Sequence, residues 1–233
     1  MCDRVDRALA WARAALADAP GAEPLDAPVL LAHLLGVQRA ALHAHPERPL
    51  TPEQTADFRR MIEGRRRGVP VAYLTGRRAF FDREFAVSPA VLIPRPETEH
   101  LIEAALAWAR GRAGLRVADV GTGSGAIAVT LAAHLPDAAV WAIDVSEEAL
   151  AVARENAARA GVEARITWLG GDLLSPLLAH TIQVDLIAAN LPYIPSADLD
   201  GLAVARFEPR SALDGGPDGL DDISDRATST PRG

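Results

Sequence analysis

Asn190-Leu191-Pro192-Tyr193 closes an apolar run over residues 184–189 that reads as a buried strand. A strand that stops at Asn, Pro and Tyr brings an amide, a kinked backbone and an aromatic face together at its C-terminal end. In open α/β sheets that end is where ligands sit. Pro192 has no N–H and steers Leu191 away from the helical region, which leaves the Leu191 carbonyl free to point into a cleft. A strand-terminating turn with a core tyrosine is the plainer reading of the same four residues.

A second cluster lies upstream. Gly121-Thr122-Gly123-Ser124-Gly125 falls between a predicted strand and a predicted helix, where backbone N–H groups are open to a ligand. Its spacing differs from the G-x-G-x-x-G turn that seats a pyrophosphate. Asp144 follows Gly125 by 19 residues, at the end of the next strand, where a carboxylate can accept both hydroxyls of a ribose. Asp172, after the third strand, is placed to accept from an adenine amino group, and Leu173 to pack on the base. With Asp119 just before the loop, this suits an adenosine-bearing ligand without phosphates, S-adenosylmethionine. NAD is the alternative and would want the other glycine spacing.

The elements that must position these residues fall into two zones. Helical patterns run over residues 5–17, from Asp26 (with Pro28 in the first turn) to Gly36, and from the cap Thr51 to Gly64 or beyond. Residues 80–85 and 86–93 read as two short strands around a turn. Arg95 stands between Pro94 and Pro96, and Thr98 is placed to cap a helix over residues 99–110. From Leu115 strands at 115–120, 139–143, 165–169 and 184–189 alternate with helices at 126–134 and 146–160, the rhythm of a parallel sheet with crossovers.

Composition sets the outer limits. Hydrophobic residues make up 49% and charged residues 24% of the 233, ordinary for a soluble globular protein. All 24 basic residues are Arg. The single Cys2 excludes a disulfide framework and a cysteine-based zinc site, and it suits a reducing cytoplasm. His33, His43 and His45 have no acid or Cys placed to complete a metal site. The charged start has no apolar signal region, and no apolar run approaches the roughly 18 residues of a membrane span. The net charge of −7 argues against a general nucleic-acid binder. Residues 57–83 nevertheless hold 8 Arg against 3 acids, a cluster able to approach RNA or the ribosome or simply to form a solvated helix face.

Four segments carry a closer resemblance. They are Val91-Leu92-Ile93-Pro94-Arg95-Pro96-Glu97-Thr98-Glu99, Asp119-Val120-Gly121-Thr122-Gly123-Ser124-Gly125, Asn190-Leu191-Pro192-Tyr193-Ile194, and Phe207-Glu208-Pro209 through Ala212-Leu213-Asp214-Gly215-Gly216 to Asp218-Gly219-Leu220. In these the chain resembles the HemK-type family of N5-glutamine methyltransferases that modify peptide chain release factors. The resemblance implies an α/β fold of the class I SAM-dependent methyltransferase type, Rossmann-like with a mostly parallel sheet. It implies a helical substrate-binding domain over residues 1–75, a β-hairpin linker over 76–94 and a methyltransferase domain over 95–220. The implied substrate is the glutamine of the release factor's Gly-Gly-Gln loop. Asn190, Leu191, Pro192 and Tyr193 would be catalytic and, with Arg95, substrate-binding. Gly121, Thr122, Gly123, Ser124, Gly125, Asp144, Asp172, Leu173 and Asn190 would hold S-adenosylmethionine.

Two departures stand out. The family usually has Asn-Pro-Pro-Tyr where this chain has Leu191, which is tolerable if only the backbone carbonyl is used. Asn-Leu-Pro-Tyr also resembles the motif of RNA adenine dimethyltransferases, so nucleic-acid adenine is the alternative substrate. Residues 221–233 are polar and patternless and read as a disordered or aberrant tail. A full sheet of this type needs about 40–60 more residues for three further strands. A chain truncated or frameshifted at its C-terminus is therefore expected, with an inactive fragment that only binds donor or partner as the non-enzymatic alternative.

Overall fold

The computed structural model of the protein describes residues 3–202 and 204–221. The tail expected to be disordered falls, apart from Asp221, outside the described residues. The chain divides into two compact units, Met1–Gly76 and Arg77–Gly233.

The first unit is helical: α1 (Val5–Leu16), α2 (Asp26–Leu35), α3 (Arg39–Ala44), α4 (Pro52–Arg66) and α5 (Val71–Thr75). Leu9, Leu30, Leu31, Phe58 and Ile62 meet in its core. The start of α4 is a full capping box: Thr51 Oγ1 accepts the Gln54 N–H, and Gln54 Oε1 accepts the Thr51 N–H. Gly36 ends α2 in the left-handed conformation. The sequence reading did not anticipate α3, which is short and has only Leu42 buried. Arg65, read above as part of a surface cluster, is 6% exposed and donates to Asp26 at 2.7 Å.

The second unit opens with a hairpin, β1 (Arg77–Phe80) and β2 (Arg83–Ala86). The expectation of a strand across residues 80–85 is corrected here. The turn falls at Phe81-Asp82, with Phe81 at φ 56, so Phe80 and Phe85 belong to different strands and bury against each other edge to face. Two adjacent apolar aromatics look like strand interior, and Asp82 is the one local turn residue, with no Gly, Asn or Pro beside it.

After α6 (Glu97–Ala109) come β3 (Arg116–Val120), α7 (Ala126–His134), β4 (Ala139–Asp144), α8 (Glu147–Arg159), β5 (Ile166–Gly170), α9 (Ser175–Ala179) and β6 (Leu186–Ala189). The four strands form a parallel sheet in the order β5-β4-β3-β6. Side chains alternate between its faces. Val117 and Val140 join Ile102, Leu131 and Ala157 of the helices in one core, while Ala118, Val120 and Ile143 meet Leu177 of α9 in another. The chain runs outward from β3 to β5 and then returns to the other side of β3. The ends of β3 and β6 flank the point where the winding reverses, which is where a crevice forms in such sheets.

Candidate active site

A cleft of about 280 Å³ lies at those strand ends. Its walls include Gly121, Thr122, Gly123 and Ser124 after β3, Asp144 after β4, Asp172 and Leu173 after β5, and Asn190, Leu191 and Pro192 after β6. Gly121 and Pro192, 71 positions apart in sequence, thus share one cavity because parallel strands end at the same edge. Gly125 belongs to the loop but does not line the cleft.

The glycine loop is held from below. Asp119 is fully buried; its Oδ2 accepts the Thr122 hydroxyl at 2.6 Å and the Ala128 N–H at 2.9 Å. Its Oδ1 has no hydrogen-bond partner among the described residues. Burial pushes the carboxyl up to about 7, against the two hydrogen bonds and with the charge of Asp144 adding to the rise.

The ligand-facing side of the loop fits an adenosine donor. Gly123 has φ +54, and a Cβ there would enter open space, so the loop presents bare backbone to the cleft. Its N–H donates to Asp144 Oδ2 at 2.8 Å, and the Ser146 N–H to Oδ1 at 2.9 Å. Each carboxylate oxygen keeps a lone pair, enough for the two hydroxyls of a ribose. Ser146 also caps α8, its hydroxyl accepting the Ala149 N–H at 3.1 Å. Leu173 sits at φ 45, a conformation uncommon for leucine, beside exposed Asp172.

Across the cleft, Asn190 Nδ2 donates to Thr98 Oγ1 at 3.1 Å. Among the described residues neither Asn190 Oδ1 nor the Leu191 carbonyl has a hydrogen-bond donor, so two acceptors stand open side by side. The Leu191 side chain is partly buried against the cluster of Val120 and Ile143, with its Cδ2 3.0 Å from where a Cβ on Gly121 would stand. Tyr193 is 67% exposed and outside the cleft lining, next to Pro192. It is therefore no core tyrosine, as the plainer reading would have it. The segment behind it fits only without a side chain: a Cβ on Gly219 would come within 2.5 Å of the Tyr193 carbonyl oxygen.

The site also contains residues that sequence reasoning misplaced or overlooked. Thr98 was expected to cap its helix, yet α6 begins at Glu97 with no side-chain cap and the Thr98 hydroxyl meets Asn190 instead. Arg95 does not line the cleft. It donates to Glu208 Oε1 at 2.6 Å, and Glu208 Oε2 accepts the Ile93 N–H at 3.2 Å. Asn156, 3% exposed on α8, donates to the Ser124 and Ala86 carbonyls at 2.9 and 3.0 Å and accepts the Ala86 N–H at 2.7 Å. It ties the hairpin to the glycine loop. An Asn on the apolar face of an alanine-rich helix was the one local signal for it.

This fold and cleft define a class I S-adenosylmethionine-dependent methyltransferase. A family described as PrmC N-terminal domain matches residues 7–76, and a methyltransferase domain matches residues 117–206. The release factor glutamine methyltransferase of Moorella thermoacetica is 49% identical over 198 residues, covering 84% of this chain and 69% of that protein. Those of Bordetella pertussis and Bacillus subtilis are 47% and 42% identical over 217 and 219 residues, covering 93% and 91% of this chain and 79% and 75% of theirs. The chain belongs to the release factor glutamine methyltransferase family. No helix among the described residues is long and apolar enough to cross a membrane.

Proposed function

We propose that the protein transfers a methyl group from S-adenosylmethionine to the side-chain amide nitrogen of the glutamine in the Gly-Gly-Gln loop of a peptide chain release factor. The observation that carries this is the pair of open acceptors, Asn190 Oδ1 and the Leu191 carbonyl, beside the glycine loop. Bound S-adenosylmethionine supplies an electrophilic methyl group on a sulfonium. Backbone of residues 121–124 and the carboxylates of Asp144 and Asp172 would hold it, with Leu173 against the base.

An amide nitrogen is a poor nucleophile because its lone pair is delocalised. Asn190 Oδ1 and the Leu191 carbonyl each accept one of its N–H groups, which aims the lone pair along the cleft. The same two dipoles favour the positive charge that develops on nitrogen. Pro192 keeps the Leu191 carbonyl out of any helical turn, and the exposed Tyr193 ring beside it is free to pack over the planar amide once substrate enters. Deprotonation needs no strong protein base, because an alkylated amide nitrogen is acidic.

In this proposal residues 1–75 form the substrate-binding domain, 76–94 the linker and 95–220 the catalytic domain, working in the cytoplasm. Any approach of the 57–83 region to RNA or the ribosome falls to its exposed guanidinium groups, such as Arg67, since Arg65 is buried on Asp26. Labelled donor incubated with the protein and a release factor should mark the loop glutamine. Label on RNA adenine instead, lost steeply with added salt, would replace this reading with the nucleic-acid one.

A further inference from the structure

We infer that Thr98 is a positioning residue for methyl transfer, anchoring one end of the Asn190 amide at the cleft wall so that the other end faces the substrate nitrogen. The inference rests on the reading of Asn190 as half of the amide clamp. A primary amide has a donor end and an acceptor end of nearly equal size. A half-turn about its terminal bond would set an N–H of Asn190 against the substrate N–H that Oδ1 must accept, and the clamp would keep only the Leu191 carbonyl.

The 3.1 Å hydrogen bond between Nδ2 and Thr98 Oγ1 anchors one end of the amide, and because a hydroxyl can accept from Nδ2 or donate to Oδ1, the substrate N–H, which only Oδ1 can accept, completes the choice. Two further observations support the assignment. Thr98 is 9% exposed and lines the cleft beside Asn190. Its hydroxyl is also not occupied at its own helix terminus, because α6 has no side-chain cap.

The segment that carries Thr98 is itself braced. Ile93 N–H and Arg95 Nη2 both donate to Glu208, a carboxylate 1% exposed, at 3.2 and 2.6 Å. The hydroxyl is thus presented to Asn190 from a pinned stretch of backbone. Orientation of this kind acts on the reacting geometry and leaves the donor pocket around Gly123 and Asp144 untouched.

The test compares Thr98→Val, close in shape but without the hydroxyl, with Thr98→Ser, which keeps it. Methyl transfer to a release factor and calorimetric S-adenosylmethionine affinity are measured on each full-length chain. Thr98→Val should lower kcat about 10- to 100-fold with donor affinity unchanged, and Thr98→Ser should restore most of it. Wild-type kcat in Thr98→Val, or a parallel loss of donor affinity, would overturn the inference. If the wild-type chain marks no glutamine, the functional reading fails separately. The Asn190 side-chain amide resonances then decide on Thr98: they should shift in Thr98→Val and not in Thr98→Ser, and identical spectra in all three proteins would refute the contact.

Discussion

Arg95 and Glu208, 113 residues apart, meet at 2.6 Å with the carboxylate 1% exposed and the guanidinium 34% exposed. A desolvated carboxylate is tolerable only while its oxygens are occupied. Here the second oxygen takes the Ile93 N–H. The pair joins the segment before α6 to the segment after β6, the two walls that carry Thr98 and Asn190.

Removing the cation should therefore cost more than neutralising the anion. Arg95→Ala leaves a buried charge with one N–H and should destabilise the protein by about 2–3 kcal/mol. Glu208→Gln keeps an oxygen for Ile93 and should cost less. Urea denaturation of both variants checks the order, and an unchanged midpoint in Arg95→Ala would remove the pair from the list of structural contacts.

Asp119 makes stability depend on pH with a definite sign. Its carboxyl titrates near 7 in the folded protein against an ordinary 3.8. Below about pH 4 both folded and unfolded chains hold the proton, and the residue has no effect. Between about pH 4 and 7 the unfolded chain releases it and the folded chain retains it. Stability then falls as pH rises, by at most about 1.4 kcal/mol per pH unit, and the loss is complete above pH 7. Asp119→Asn should flatten this slope in denaturation curves taken from pH 4 to 8. Equal slopes in both proteins would contradict the burial argument.

Tyr193 should separate binding from folding. With its side chain at the surface, Tyr193→Ala should change stability by no more than about 0.5 kcal/mol. Loss of aromatic packing on the amide should lower kcat/KM for the release factor by about 3- to 10-fold, with donor affinity unchanged. Tyr193→Phe, which keeps the ring, should behave like wild type. A large loss in Tyr193→Phe would instead assign the work to the hydroxyl.

Much of the architecture was legible in residue order alone. Strand–loop–helix alternation after Leu115, the Thr51 box, Gly36 and the Ser146 cap are local signals, each set by a side chain acting within a few residues of itself. The glycine loop and Asn190-Leu191-Pro192-Tyr193 stood out for the same reason, since their backbone chemistry is written in adjacent residues. Tertiary structure decided what these groups touch. The Phe81-Asp82 turn, the burial of Arg65 on Asp26 and the pairing of Arg95 with Glu208 depend on partners far along the chain or on packing that no short window contains. Thr98 shows the difference most plainly: a threonine two residues after a proline suits a helix cap by local rules, and only the return of β6 beside β3 brings Asn190 within reach of its hydroxyl.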